Sequence, residues 1–247
     1  MLSFVFPVLD EADGIGRTWE AARRVGEGLV ATGVVASWEA VLVNDGSTDG
    51  TSAILDALAR SDDRARVLHH HGNRGVGAAM RTGLAAACGD LVLYTDADLP
   101  FDLDLVPMLV EELRRSGADL LSGVRRGRRG ESNVRAAQSW LYNQLVRTVF
   151  TLHADDVNFA CKLATRRALA PDRWRSASAF IDVEWLVWAQ RSGCRLVQPD
   201  VDYRRREWGA SSMGGARVVR LLLVDLVRFR RRLGRGLVDT APSTTSR

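Results

Sequence analysis

Lysine is nearly missing from this 247-residue chain: of 34 basic residues only Lys162 is lysine, and the rest are arginine. Cysteine is scarce too, with Cys88, Cys161 and Cys194 far apart and in no CxxC pair. The spacing excludes a disulfide framework and a cysteine zinc site, and favours a reducing compartment. No apolar run approaches the roughly 18 residues needed to cross a bilayer. The first residues carry no basic n-region and no small-residue cleavage site, and Leu2–Val8 reads at once as a strand. With 6 prolines, 22 glycines and 46% hydrophobic residues, the composition excludes collagenous, coiled-coil and mostly disordered classes. The expectation is a cytoplasmic globular protein with a continuous core, able to attach to a membrane surface but not to span it.

Charge is plentiful and unevenly placed. Residues 1–122 hold 10 basic and 19 acidic residues, and residues 123–247 hold 24 basic and 11 acidic ones. The bland net charge of +4 is therefore the sum of a −9 half and a +13 half, which points to two binding tasks. Arg125, Arg126, Arg128, Arg129 and Arg135 crowd one polar segment, offset by Glu131 alone. That segment is either a solvated loop or a phosphate cradle, since guanidinium forks suit phosphate bidentately. Near the C-terminus, apolar Val218 to Phe229 is interleaved with Arg217, Arg220, Arg228 and Arg230–Arg232. A cationic helix of this kind either lies among anionic lipid headgroups or packs on the domain with a basic outer face. Nucleic acid is not an expected partner, because the interleaving of aromatic and basic residues that makes a base-stacking platform is missing.

Through the first half, short apolar runs alternate with helix-patterned segments. Strands are predicted at Leu2–Val8, Glu39–Asn44, Ala65–His69 and Leu91–Thr95, and helices near 13–32, 50–60, 76–88 and 102–116. The strand runs are apolar at consecutive positions, as expected when helices cover both faces of a sheet. The rhythm predicts an α/β fold with a doubly wound, mostly parallel central sheet. The second half is less regular: a strand at Ala118–Val124, a loop at Arg125–Arg135, helices near 136–150 and 180–192, a strand at Arg195–Val201, and a helix at Ala216–Leu233. Three units are expected, namely a main domain over 1–215, a basic amphipathic helix over 216–235, and a disordered tail over 236–247.

In such sheets ligands bind at the carboxyl ends of strands. Pro7-Val8-Leu9-Asp10-Glu11 follows the first strand, Asn44-Asp45-Gly46-Ser47-Thr48-Asp49-Gly50-Thr51 the second, and Asp96-Ala97-Asp98 the fourth. Each has a plain structural explanation, because Asp-Gly is a turn pair and Ser, Thr and Asp cap helices. Two carboxylates one residue apart at a strand end can, however, share a hard divalent cation such as Mg²⁺ or Mn²⁺, which in turn binds diphosphate oxygens. His69-His70-His71 is a weaker metal candidate, since adjacent rings alternate in direction.

Taken in order, these segments resemble the family 2 glycosyltransferases of the GT-A fold, and most of all the polyprenyl-phosphate sugar transferases of the dolichyl-phosphate mannose and glucose synthase type. The resemblance runs from about residue 2 to about residue 215. It is carried by Pro7 to Glu11, Val43 to Thr51, Asn73 to Gly83 (NRGVGAAMRTG), Asp96 to Asp98, Asp156 to Lys162, Asp182 to Glu184, and Arg206 to Ser211. It implies that Pro7, Leu9 and Glu11 line a base and ribose pocket, that Asp45 reads the nucleotide, that Asp96 touches the nucleotide or the metal, and that Asp98 holds Mg²⁺ or Mn²⁺. Gly75 and Gly77 would admit a close backbone approach at a helix N-terminus, and Arg206 would meet phosphate. Lys162, Glu184, Ser211 and Arg125 fall among the expected substrate contacts. Val76, Ser212 and the Leu99-Pro100 pair depart from the family pattern: Val76 removes an expected phosphate contact, and Leu99-Pro100 leaves a third metal ligand unassigned.

The implied reaction is an inverting transfer of a hexose from a UDP- or GDP-sugar to polyprenyl phosphate at the cytoplasmic membrane surface. The alternative is a soluble enzyme acting on a hydroxyl of a glycan, lipid or natural product. A hydroxyl needs a carboxylate base near its proton, whereas a phosphate monoester is already anionic and needs cations to place it. Asp156 is the first choice for a base, with orientation of Arg206 or Lys162 as its other possible task.

Overall fold

A computed structural model of the chain describes residues 1–127, 133–205 and 216–236. The first half alternates as expected: β1 (Leu2–Val8), α1 (Ile15–Ala31), β2 (Trp38–Asn44), α2 (Thr51–Ser61), β3 (Ala65–His69), α3 (Val76–Ala86), β4 (Leu91–Thr95) and α4 (Val106–Ser116). The second half adds β5 (Leu120–Ser122), β6 (Val124–Arg126), α5 (Asn133–Phe150), β7 (Cys161–Thr165), α6 (Ile181–Arg191), β8 (Leu196–Val197), β9 (Asp200–Asp202) and α7 (Ala216–Gly236).

The main sheet has the order β3-β2-β1-β4-β7-β5-β8. Strands β3, β2, β1 and β4 run parallel, and β7 is antiparallel to both neighbours, β4 and β5. Successive side chains point to opposite faces, so Phe4 and Phe6 join one core with α1 and α4, while Val5 joins the other with α3, α5 and α6. Trp19, Leu29, Leu109 and Leu113 fill the first core; Met80, Phe150, Trp174 and Trp185 fill the second. Gly83 lets α3 lie close to β1, since a Cβ there would crowd Val5 Cγ1 and Val43 Cγ2.

Two expected strands are each divided. Ala118–Val124 resolves into β5 in the main sheet and β6 in a two-stranded sheet with β9, and Arg195–Val201 divides likewise into β8 and β9. Gly123 marks the break: its amide donates to Cys161 O at 2.8 Å, and an added Cβ would stand 3.1 Å from Cys161 Sγ and Val201 Cγ2. Strand β7, in a stretch without clear periodicity, was not expected. Helix α7 packs against the domain through Leu226, Phe229 and Leu233, which are buried, so the packed-helix alternative accounts for that face. Phe229 meets the Phe150 ring at 5.3 Å between centroids. The expected tail, 236–247, lies outside the described residues beyond Gly236.

Candidate active site

The turns after β1 and β2 brace each other. Asp10 sits at φ 51°, in the left-handed region that short polar residues tolerate. Its carboxylate accepts from the Thr48 amide at 2.7 Å, and its own amide donates to Ser47 Oγ at 3.0 Å. Asp49 accepts from the Ala12 amide and from Thr51 Oγ1, and the Glu11 amide donates to Thr51 Oγ1 at 2.9 Å. Against the opposing cost of burial, these donors hold the Asp49 carboxyl below its ordinary range. Ser47, Thr48 and Asp49 thus serve as turn and cap. They support the strip Pro7, Leu9 and Glu11, of which Glu11 is buried and the other two are partly exposed.

Asp45 lies deeper. Its Oδ1 accepts from the Arg74 amide at 3.0 Å and its Oδ2 from the Gly75 amide at 2.8 Å, tying the end of β2 to the turn before α3. The glycines of that turn correct an expectation. A Cβ on Gly77 would stand 2.7 Å from Ser178 O and closer still to Ser176 O, and one on Gly75 would collide with Ala177 O. The close approach they permit is therefore that of the 176–178 backbone, whose Ala177 carbonyl accepts from the Gly77 amide at 2.9 Å.

At the end of β4, Thr18 Oγ1 donates to Ala97 O at 2.6 Å and Leu99 adopts φ 52°, turning the chain sharply behind Asp98. Tyr94 donates to Asp96 Oδ1 at 3.2 Å. Burial first, then the neighbouring Asp98 and Asp182, push the Asp96 carboxyl up to about 7. Like charges held this close are relieved by a shared divalent cation, so the pair fits a hard metal. No third His, Cys, Asp or Glu completes a metal cluster among the described residues, in keeping with a cation that takes further ligands from diphosphate and water.

Lys162 and Glu184 are corrected from substrate contacts to internal braces. Lys162 is 0% exposed, paired across the β4–β7 register with Tyr94. Its ammonium donates to Val157 O at 3.0 Å and to Phe159 O at 2.8 Å and forms an ion pair with Asp182 Oδ1 at 2.8 Å, so the buried charge is met from within the fold. Burial raises the Asp182 carboxyl, and Lys162 opposes the rise. Glu184 is also 0% exposed; it accepts from the Arg175 and Ser176 amides, from Ser176 Oγ and from Arg232 of α7.

Asp156 is held in a forked ion pair with Arg125, Nε to Oδ2 at 2.7 Å and a terminal nitrogen to Oδ1 at 2.9 Å. The Arg125 guanidinium also lies over the Phe159 and Tyr203 rings, 5.6 and 5.8 Å from their centroids. With both carboxylate oxygens engaged, Asp156 is better placed to orient Arg125 than to take a proton. Tyr203 and Arg204 return beside the β4 turn, where the Arg204 amide donates to Pro100 O at 2.8 Å and its guanidinium meets Asp102 at 2.5 Å. Arg206, Ser211 and Ser212 follow but lie outside the described residues, as do Arg128 and Arg129; the side chain of Arg135 does too. Tyr94 and Tyr203 were missed by motif, although Tyr94 is two residues from Asp96 and hence on the same face of the strand.

Comparisons with known proteins show the fold and the family. Mannosyl-3-phosphoglycerate synthase from Rubrobacter xylanophilus superposes with a TM-score of 0.70 at 20% identity, over 95% of this chain and 75% of its own. Glucosyl-3-phosphoglycerate synthase from Mycobacterium tuberculosis, solved with Mn²⁺, UDP-glucose and phosphoglyceric acid, gives 0.64 at 22% identity, over 92% and 80%. These likenesses show the GT-A fold. Dodecaprenyl-phosphate galacturonate synthase of Rhizobium johnstonii is 31% identical over 90% of this chain, and undecaprenyl-phosphate 4-deoxy-4-formamido-L-arabinose transferase of Pectobacterium atrosepticum is 30% identical over 90%. The chain spans 64% and 65% of the length of those two relatives. The model of Glycosyl transferase family 2 matches residues 3–171, a span that holds all of β1 but its first residue, strands β2 to β7 and the three acidic strand ends, and the chain belongs to that family.

Proposed function

We propose that the protein moves a hexose from a UDP- or GDP-sugar to polyprenyl phosphate, with inversion, at the cytoplasmic face of a membrane. The observation that carries the proposal is the Asp156-anchored, ring-stacked guanidinium of Arg125 on the domain that bears Asp96 and Asp98. An acceptor that is already anionic asks for an oriented cation instead of a base, and the two relatives named above carry polyprenyl-phosphate substrates in their names.

In this reading Pro7, Leu9, Glu11 and Asp45 line the nucleotide pocket, and Asp96 and Asp98 hold Mg²⁺ or Mn²⁺. The cation, when bound, offsets the charge that develops on the departing diphosphate. Arg125 places the acceptor phosphate, one of whose oxygens forms the new bond to the anomeric carbon as the bond to the nucleoside diphosphate breaks. No proton has to be removed, so the task that remains for Asp156 is to orient Arg125. Arg206 is assigned to phosphate as a catalytic residue and Ser211 to substrate, on the family resemblance.

No described helix is long and apolar enough to cross a membrane. Peripheral attachment is supported by the outward faces of α5 and α7, where Trp140, Leu141, Leu221, Leu223 and Val227 are exposed beside Arg220, Arg228, Arg230 and Arg231. To test the assignment, purified protein is incubated with Mg²⁺ or Mn²⁺, labelled nucleotide sugars and polyprenyl phosphate. Label should pass into the organic phase. Label found only as free sugar, or on a water-soluble acceptor, overturns the reading.

A further inference from the structure

We infer that His70 is a positioning residue for nucleotide recognition, holding the Asp45 carboxylate in the one orientation that serves both the turn before α3 and a bound nucleotide. The inference rests on the assignment of Asp45 to the nucleotide pocket.

His70 follows the last residue of β3, where His69 is in register with Asn44, so the next residue along each strand brings His70 beside Asp45. The His70 amide donates to Asn44 O at 2.9 Å, which fixes the backbone. Its Nδ1 is 2.6 Å from Asp45 Oδ1 and its Nε2 is 3.0 Å from Thr82 Oγ1 on α3. An ionised carboxylate only accepts, so the network assigns the proton to Nδ1, and in the neutral ring Nε2 accepts from the Thr82 hydroxyl. The side chains of His70 and Asp45 are 5% and 3% exposed.

Three donors from the protein thus reach Asp45: the His70 ring and the Arg74 and Gly75 amides. A carboxylate offers about four acceptor positions, so one remains for a ligand N–H or O–H. The side chain is 3% exposed, so a ligand can use that position only if the rotation of the carboxylate is held. The Arg74 and Gly75 amides take one oxygen each from the turn before α3, and the ring adds a second contact to Oδ1 from the end of β3, so the rotation of the carboxylate is held from two elements. His69 plays no part, since its ring meets Asn44 and Asp56 instead.

Two polar substitutions separate this role from simple packing. In His70→Asn the amide nitrogen falls near the Nδ1 position and can still donate to Asp45. In His70→Gln it falls near Nε2 and reaches Thr82 instead. Binding of UDP and GDP with Mg²⁺ is measured by calorimetry, alongside donor KM, kcat and thermal midpoint. His70→Asn should bind within about twofold of the natural protein, and His70→Gln about tenfold more weakly, with kcat at saturating donor changed by less than about twofold. Equal affinity in the two variants, whatever their thermal midpoints, overturns the positioning role. Asp45→Ala is run in parallel: if it binds nucleotide normally, the pocket assignment itself falls. If it binds poorly while His70→Gln binds normally, only the role of His70 falls.

Discussion

Replacing Lys162 with methionine removes the charge and keeps the apolar stem. The ammonium is fully enclosed and faces Asp182 at 2.8 Å, with Val157 O and Phe159 O as its other partners. Deleting one member of a buried pair leaves the other charged and desolvated, which costs about 3–5 kcal/mol. Domains of this size are stable by about 5–15 kcal/mol, so the loss is a large share of the whole. With a urea slope of about 3 kcal/mol/M, the unfolding midpoint should fall by more than about 1 M. Burial already raises the Asp182 carboxyl with Lys162 in place, so without Lys162 the folded state holds a proton that the unfolded state releases. Stability of Lys162→Met should therefore fall as pH rises from about 4, and the deficit should be largest near pH 8. Replacing both partners, Lys162→Met with Asp182→Leu, should recover most of the loss, because no uncompensated charge remains. Urea titrations of the natural protein and the two variants, followed by tryptophan fluorescence, give all of these numbers. A single-variant loss below about 1 kcal/mol, or a double variant no better than Lys162→Met, would show that Lys162 is not the brace described and would reopen its assignment to substrate.

Three further outcomes are expected. In metal-free protein, Asp96 has a folded-state value of about 7, so its ionisation costs stability as pH rises from about 4 through 7; Asp96→Asn should remove that decline, and parallel pH profiles of the unfolding midpoint would contradict it. Gly77→Ala, at a position without left-handed strain, should destabilise by about 2 kcal/mol or more through collision with the 176–178 carbonyls, and a melting temperature equal to the natural protein's would refute the contact. Trp140 and Leu141 are 62% and 64% exposed, so Trp140→Ser with Leu141→Ser should leave the melting temperature within a few degrees while weakening sedimentation with anionic vesicles; unchanged vesicle binding would remove α5 from the proposed membrane face.

The parallel half of the fold was legible because its signals are local. Runs such as FVFPV and AVLV are apolar at every position, and each leads into a turn-forming acidic cluster, so both strand and strand end can be read without knowing the neighbours. The pair Asp96 and Asp98 was legible for the same reason: one residue of spacing at the end of a strand already puts two carboxylates on one turn. Strand β7 was not, because CKLAT is five residues with a lysine at its second position, and only Asp182, arriving from α6, makes that lysine tolerable inside the sheet.

Partnership was the part that residue type could not supply. Lys162 and Glu184 looked like ligand contacts because charged residues in motifs usually face solvent or substrate; the fold encloses both and satisfies them internally. Gly75 and Gly77 are small for a reason the chain does not display locally, the passage of a backbone one hundred residues further on. Arg125 and Asp156, and likewise His70 and Asp45, are separated by 31 and 25 residues, and no pattern in either segment names the other. Alternation and turn chemistry are properties of neighbours along the chain and establish the sheet and the acidic strand ends, while the ordered motifs carry the resemblance to the family. Which carboxylate keeps an open lone pair depends on what burial brings against it from elsewhere, and that is decided only when the sheet closes.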